Sequence, residues 1–577
     1  MSTFAESMMQ PEPWAGLMMG NHAIARAMLE AGVMVATHYP GSPTPEIADA
    51  LLAIPDDVRP LHFEYSTNEK VALETAFGAA INGHLSCVFF KSVGLNVALD
   101  SAVQLSMMDL TGGMVIIVGD DPGANSSQNE QDNRHTFRMG FLPVYEPATP
   151  SEAYRMFLEA AELSRRLKVP VVMRPTTHVC HAREVVQFGP LLKRDSDWTP
   201  QFRARGLEYW PITATVFPLK RKALAKLSAA QKHAETSRFT DVLAPNGSAP
   251  AGSRRLGVIT AGLPAMALLE NLDESGAPLS VLKLGITHPL PRERVLDFLR
   301  AHDEVLIIEE LDRVLEGEIK ALAFDGGVAT RIHARREVEE LMGEFNAART
   351  WALLSATWPE LFPLRPSLTM AATTEVSPRL PQMCPGCGHR SAFYAIRELL
   401  TTEYPEAITV ADIGCHSLGG LEPYEMGTVL LCMGHSSGTA AGLAIGNDSR
   451  KIVAFIGDST FYHAGLPAII NAAVHDHDFT LVVMENYTTA MTGHQPTAGS
   501  GEMGDKLSIP AVLESLGVKF VKSIDAYRQA ELKDVMREAM EHQGFAVVIA
   551  KHPCMLKFLR DKRRKLAAKK VAAGAGA

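Results

Sequence analysis

Residues 456–495 read IGDSTFYHAGLPAIINAAVHDHDFTLVVMENYTTAMTGHQ. The segment opens on the end of an apolar run, 452–456, which reads as a buried parallel strand. Gly457, Asp458 and Ser459 break the run, and a helical pattern follows through 466–474. A second apolar run, 479–484, ends at Glu485 and Asn486. Two strands joined by a crossover helix therefore each end in an oxygen-bearing side chain, at the sheet edge where open α/β folds bind ligands. Asp458 and Asn486 lie 28 residues apart, the span of one βαβ unit, so both are expected to reach one hard cation. A carboxylate, an amide oxygen and a backbone carbonyl (that of Thr488) suit Mg²⁺ holding a diphosphate. Gly457 lets the backbone come close to the phosphates.

Composition narrows the function classes around this motif. At 577 residues the chain has room for three or four domains. A net charge of −10, with no basic patch before the tail, argues against a nucleic-acid binder. No apolar run reaches the roughly 18–20 residues of a membrane helix, and the start, MSTFAESMMQPEP, has no secretory pattern. Seven cysteines in a chain this long do not form a disulfide framework. A cytoplasmic location is expected.

The first 183 residues alternate strands and helices, the pattern of a doubly wound parallel sheet. Residues 17–32 read as an amphipathic helix closed by Gly32. The loop YPGSPTP (39–45) is stiffened by three prolines and carries Ser42. In HFEYSTNEKVALETAFGAAINGH (62–84), Asn68 or Thr67 can cap a helix that starts near Glu69. A glutamate in a first turn is ordinarily a favourable dipole partner and nothing more; Glu64 and Glu74 stand close by. The loop GDDPGANSSQNEQDNR (119–134) follows a strand and is too polar to be core. Lys91, Arg134 and His135 are the unranked candidates for binding a substrate carboxylate.

Residues 184–253 change character and are expected to be a linker or insert. An α/β unit follows at 254–345, where Glu309 and Glu310 end a strand and are expected to serve a domain or subunit contact. A second linker is expected at 346–378. The last domain, 379–559, holds Cys384 and Cys387 in CPGCGH, Cys415 in DIGCHS and Cys554 in KHPC. Spacing alone leaves three readings open: a four-thiolate zinc site, a redox dithiol on Cys384 and Cys387, or an iron–sulfur cluster. Cys87, Cys180 and Cys432 are expected to be non-ligands. Residues 560–577 form a basic tail.

The GDS…N spacing resembles the Mg²⁺–thiamine diphosphate motif, and TAMTGHQP (489–496) resembles the large subunit of indolepyruvate:ferredoxin oxidoreductases. The DDP…SSQNEQD loop and the CPGC, IGC and PC cysteines resemble the same 2-oxoacid oxidoreductase family. The resemblance runs from Gly20 to about Leu556. It implies two thiamine-diphosphate-binding doubly wound domains flanking a transketolase C-terminal-like α/β domain. It also implies thiamine diphosphate and Mg²⁺ held by Gly457, Asp458, Ser459, Asn486 and Thr488, with Glu69 as the acid beside the aminopyrimidine. A [4Fe–4S] cluster is implied on Cys384, Cys387, Cys415 and Cys554. Ser42 is implied as a substrate contact. His416, Tyr462, His463, His494 and Gln495 are expected on loops around the site, with His416 and Gln495 touching substrate and His494 acting as a proton donor or substrate contact.

The activity implied is oxidative decarboxylation of an aryl pyruvate to acyl-CoA and CO₂. Coenzyme A is the co-substrate, and a homologous small subunit completes an α₂β₂-type assembly. Large subunits of this family typically continue into a ferredoxin-like domain, whereas this sequence has no cysteine after Cys554. Electrons are accordingly expected to leave through a partner subunit or another acceptor protein. Two rival readings stand: a non-oxidative thiamine decarboxylase or lyase with structural zinc, and a non-catalytic scaffold. Intact Glu69, Asp458 and Asn486 argue against the second.

Overall fold

The computed structural model describes residues 3–191, 199–203, 206–244, 252–365, 381–447 and 450–574. The chain divides into two compact units, Met1–Thr369 and Met370–Ala577.

The first unit is built on two larger sheets and a two-stranded ribbon. One has seven strands, in the order Ile286–His288, Val144–Tyr145, Pro170–Met173, Met114–Gly119, Ser86–Lys91, Val35–His38 and His62–Tyr65. All neighbours pair in parallel except the first two. The central strands, SCVFFK and MVIIVG, are almost wholly buried because helices cover both faces. Helices Gly20–Glu30 and Pro150–Leu167 pack on one face, while Glu69–Ile81 and Gly94–Ala102 adjoin the other. Asn68 caps the Glu69–Ile81 helix as expected, its side chain accepting Val71 N–H at 2.9 Å. The helix read at 17–32 is shorter than expected. Trp14–Met19 is a strand, pairing antiparallel with Arg183–Phe188, and the helix begins at Gly20.

The second sheet runs Arg331–His333, Glu304–Ile308, Leu256–Ala261, Ser280–Leu284 and Asp241–Leu243. Only its last pair is antiparallel. Neither expected linker is a simple connector. Region 184–253 contains the helix Val216–Thr236 and the edge strand Asp241–Leu243, although most of its Pro/Gly/Ser segment lies outside the described residues. That helix buries Ala223, Ala230 and Ala234. It also buries Lys226, whose ammonium donates to the Lys168 carbonyl at 2.8 Å and pairs with Asp109 at 3.0 Å. Region 346–378 contributes the helix Ala347–Thr357; Trp351, Leu354, Trp358 and Phe362 enter the core of the second sheet.

Arg134 ties the two larger sheets of this unit together, beside a buried Arg174 cluster at the edge of the seven-stranded sheet. Arg134 Nη1 donates to Glu309 at 2.7 Å and Nη2 to the Glu310 carbonyl at 2.7 Å. Arg174 pairs with Asp120 and, at 2.8 Å, with Glu146, which in turn accepts Thr287 Oγ1 at 2.7 Å. Glu309 thus has the contact role expected of it, and Glu310 joins through its carbonyl.

The second unit has one five-stranded, wholly parallel sheet. Its order is Ile408–Val410, Ile452–Gly457, Thr480–Glu485, Ala546–Lys551 and Phe520–Asp525. The doubly wound expectation holds for both end domains. No helix among the described residues is long and apolar enough to cross a membrane.

Candidate active site

Four neighbouring strands of the second unit deliver the site at their carboxyl ends. Asp458 follows Ile452–Gly457 directly. Its Oδ1 accepts Ser459 N–H at 2.8 Å, and its Oδ2 accepts the N–H groups of Asn486 at 3.0 Å and Tyr487 at 2.6 Å. Burial pushes its carboxyl up to about 7, against those three donors, and the neighbouring Glu485 pushes the same way. Asp458 forms no ion pair with a described lysine or arginine side chain. A buried carboxylate with only backbone donors and a second carboxylate nearby is a cradle that a cation completes, so the residues present fit Mg²⁺. Asn486 Oδ1 accepts Thr488 N–H at 3.0 Å, and Thr488 Oγ1 donates to the Gln495 carbonyl at 2.9 Å. Ser459 Oγ bonds Thr489 Oγ1 at 2.9 Å, which holds the TAMTGHQ loop against the Asp458 turn.

The chain after Asp458 differs from the expected loop. Phe461–Gly465 is a π-helical turn leading into Leu466–His475, so Tyr462 and His463 sit on helix. Such turns are rare and concentrate at functional sites. Gln495 braces its own loop: its amide oxygen accepts Thr492 Oγ1 at 2.6 Å and its amide nitrogen donates to the Thr492 carbonyl at 2.7 Å.

Cys384, Cys387, Cys415 and Cys554 line one cavity of about 100 Å³, together with Asn486, His389, His494 and His552. The four cysteines are brought from three sequence regions by three devices. Cys387 precedes the helix Gly388–Glu403, in a turn that Gly386 enters at φ +70°. Cys415 opens a short 3-10 turn after the first strand. Cys554 N–H donates to the Asn486 carbonyl at 3.2 Å, which fixes the cysteine cavity to the Asp458 turn. Burial pushes the Cys415 thiol up to about 12, helped by the sulfurs of Cys387, Cys554 and Cys384. Four cysteine sulfurs lining one space suit an iron–sulfur cluster, which is held by thiolates. Among the described residues, no three His, Cys, Asp or Glu side chains converge as a single metal ion requires. Cys87 and Cys180 are buried elsewhere, and exposed Cys432 is not among the cavity's lining residues.

Two buried histidines stand between the cation cradle and the cysteines. His389 Nε2 lies 3.3 Å from Asn486 Nδ2 and its ring meets that of His416 at 6.2 Å, edge to face. Burial lowers His389 to about 4 and His416 to about 3, so both are neutral near pH 7. His416 also packs against Gly457: a Cβ there would lie 3.0 Å from its ring. The sequence offered His389 only as the residue after CPGCG; its burial gave no signal there. His494, at φ +70°, lines the cysteine cavity.

Glu69 and Ser42 belong to the first unit. Glu69 is buried at the start of its helix, and a Cβ on Gly94 would lie 2.6 Å from its carboxylate oxygen, so a larger residue there would displace the Glu69 side chain. Glu74 is instead on the surface, bonded to Ser101 at 2.6 Å and to Lys70. Glu64 accepts His62 at 2.9 Å. Ser42 is half-buried in a loop that Asn21 anchors by donating to the Pro43 carbonyl at 2.6 Å. Of the three carboxylate-binding candidates, Arg134 is wholly engaged in the buried network and His135 pairs with Asp312 at 3.0 Å. Lys91 remains, donating to the Ser126 carbonyl at 2.7 Å; burial lowers its pKa, against the opposing pull of Asp121 and Glu69.

Comparison with known proteins follows the same division. Residues 26–239 match the family described as pyruvate flavodoxin/ferredoxin oxidoreductase, thiamine diphosphate-binding, and residues 412–550 match the C-terminal binding domain of thiamine pyrophosphate enzymes. The chain is 37% identical over 562 residues to the indolepyruvate oxidoreductase subunit IorA of Methanothermobacter marburgensis, covering 93% of this chain and 87% of that one. It belongs to the indolepyruvate oxidoreductase subunit IorA family. The IorA proteins of Archaeoglobus fulgidus and Pyrococcus horikoshii are 36% and 35% identical, each over 95% of this chain. Membership makes the chain a subunit of an oxidoreductase with two thiamine-diphosphate-type domains. The IorA match extends through the middle α/β domain as well as both ends.

Proposed function

We propose that this chain is the large subunit of a cytoplasmic enzyme that oxidatively decarboxylates aryl 2-oxoacids, of the indolepyruvate and phenylpyruvate type, to acyl-CoA and CO₂. The observation that carries the reading is the joining of the four-cysteine cavity to the Asp458 turn through Asn486 and Cys554. Asp458, Asn486 and the Thr488 carbonyl hold Mg²⁺, and Gly457 and Ser459 lie against the diphosphate it binds. Cys384, Cys387, Cys415 and Cys554 hold a [4Fe–4S] cluster. When bound, thiamine diphosphate supplies the electron sink for decarboxylation and the cluster supplies one-electron transfer.

The chain's own residues bind, orient and exclude water. Glu69, seated against Gly94, keeps a carboxylic acid at the aminopyrimidine. Ser42 contacts the oxoacid, Lys91 is the cation for its carboxylate, and His416 presents a neutral imidazole beside Gly457. His494, on the cysteine side, contacts substrate or moves a proton. A homologous small subunit completes an α₂β₂-type assembly. Electrons leave through a partner subunit or a separate acceptor protein.

A zinc-bearing, non-oxidative decarboxylase is disfavoured because the chain belongs to a family of oxidoreductase subunits. The test is an anaerobic assay of the holoenzyme with indolepyruvate, coenzyme A and methyl viologen. Dye reduction that requires both oxoacid and coenzyme A is expected. Release of CO₂ and aldehyde without dye reduction contradicts the reading.

A further inference from the structure

The helix Met555–Gly574 begins one residue after Cys554, and Met555 and Leu556 form part of the wall of the four-cysteine cavity. Between 555 and 566 it carries six basic residues and one aspartate, in a chain whose net charge is −10. One side is tied down: Lys557 donates to Glu502 at 2.6 Å and to Asp561 at 3.1 Å. The rest is open. Leu556 is 47% exposed, Phe558 51%, Leu559 43% and Leu566 53%, and Lys562, Arg563, Arg564 and Lys565 are all exposed between them. Exposed apolar side chains at a redox cavity's wall, continued by a dense positive field, form a surface that steers an oppositely charged partner.

We infer that this helix is the docking face of an acidic one-electron carrier protein with its own iron–sulfur centre, seated over Leu556 to take electrons from the cysteine site. The inference rests on the proposed function. Oxidation of the oxoacid to an acyl thioester releases two electrons. Two carriers are therefore reduced in succession, each taking one electron into an oxidised iron centre, with no bond made or broken at the interface. The occupant is chosen by charge. A neutral or basic protein gains nothing from four exposed cations, whereas an acidic one gains in encounter rate, and steeply so at low salt.

The test compares the wild-type holoenzyme with the double variant Lys562→Glu/Arg563→Glu, neither residue of which touches the cavity. An acidic ferredoxin with a single [4Fe–4S] cluster is the probe, and calorimetry at low ionic strength measures its binding in the oxidised state. A tenfold or greater rise in Kd is expected. The kcat/KM for ferredoxin should fall similarly, while iron content stays the same and methyl viologen reduction stays within twofold. An unchanged Kd overturns the inference, as does a parallel loss with both acceptors. Separation of the variant from its small subunit on gel filtration also overturns it, since the helix is then a subunit interface. If the wild type itself shows no oxoacid-dependent dye reduction, the functional reading fails and docking falls with it.

Discussion

Asp458 accepts the backbone N–H of Asn486 at 3.0 Å, across 28 residues of chain. The bond locks the ends of two neighbouring strands and sets the carboxylate beside the amide that is to share its cation. A rigid pair of oxygen ligands needs little reorganisation when Mg²⁺ and diphosphate arrive. Asp458→Asn keeps the shape, removes the charge and turns an amide nitrogen or a weaker acceptor towards three N–H groups. Calorimetric titration should show thiamine diphosphate affinity in Mg²⁺ falling by at least 100-fold, roughly the cost of one charge-assisted ligand. An unchanged affinity would remove Asp458 from the site.

Glu69→Gln should lower kcat by about 10²–10⁴-fold, the usual weight of a positioned acid, while thiamine diphosphate still binds. Gly94→Ala should do the same without touching the acid, because its methyl group would stand 2.6 Å from the Glu69 carboxylate. Steady-state kinetics alongside cofactor titration separates loss of chemistry from loss of binding. Full activity in both variants contradicts the role.

Arg134 is structural on this account. Arg134→Met leaves buried Asp132 without its cation and Glu309 with only Arg335, 3.7 Å away, and should destabilise the protein by about 3–5 kcal/mol. Chemical denaturation measures this. A raised KM for the oxoacid with unchanged stability would return Arg134 to the substrate.

Glu310 supplies a pH signature. Burial pushes its carboxyl up to about 7, against the Phe345 N–H it accepts at 3.0 Å. The folded state therefore holds a proton that the unfolded chain gives up near pH 4.5. Stability from this group is present below that pH, is lost as pH rises towards 7, and stays lost above it. Glu310→Gln should thus stabilise the protein by roughly 1–3 kcal/mol at pH 8 and leave it unchanged near pH 4. Thermal unfolding at the two values checks the sign; a variant less stable at pH 8 contradicts it.

The parts legible in the sequence were those in which local pattern and chemistry coincide. The run IVAFI ending in Gly457-Asp458 shows strand, break and ligand within ten residues, and Asn486 repeats the arrangement at the next strand. The Val216–Thr236 helix was lost among expected linkers because the face it buries is largely alanine and one lysine, so little apolar periodicity survives. The Ala347–Thr357 helix was missed for a different reason: Trp351 and Trp358 pack into a core whose strands lie up to about a hundred residues upstream. Arg134 read as a free cation because its partner Glu309 is 175 residues away.

Iron and acid-labile sulfide per chain, measured on anaerobically purified enzyme with its visible spectrum, decide whether the four cysteines hold a cluster. About four irons and four sulfides, the content of one cubane cluster, are expected. A broad absorbance should bleach when indolepyruvate and coenzyme A are added, and the iron should be lost in Cys387→Ala and kept in Cys432→Ala. Stoichiometric zinc with no iron, or a colourless protein that still decarboxylates the oxoacid, would contradict the cluster reading.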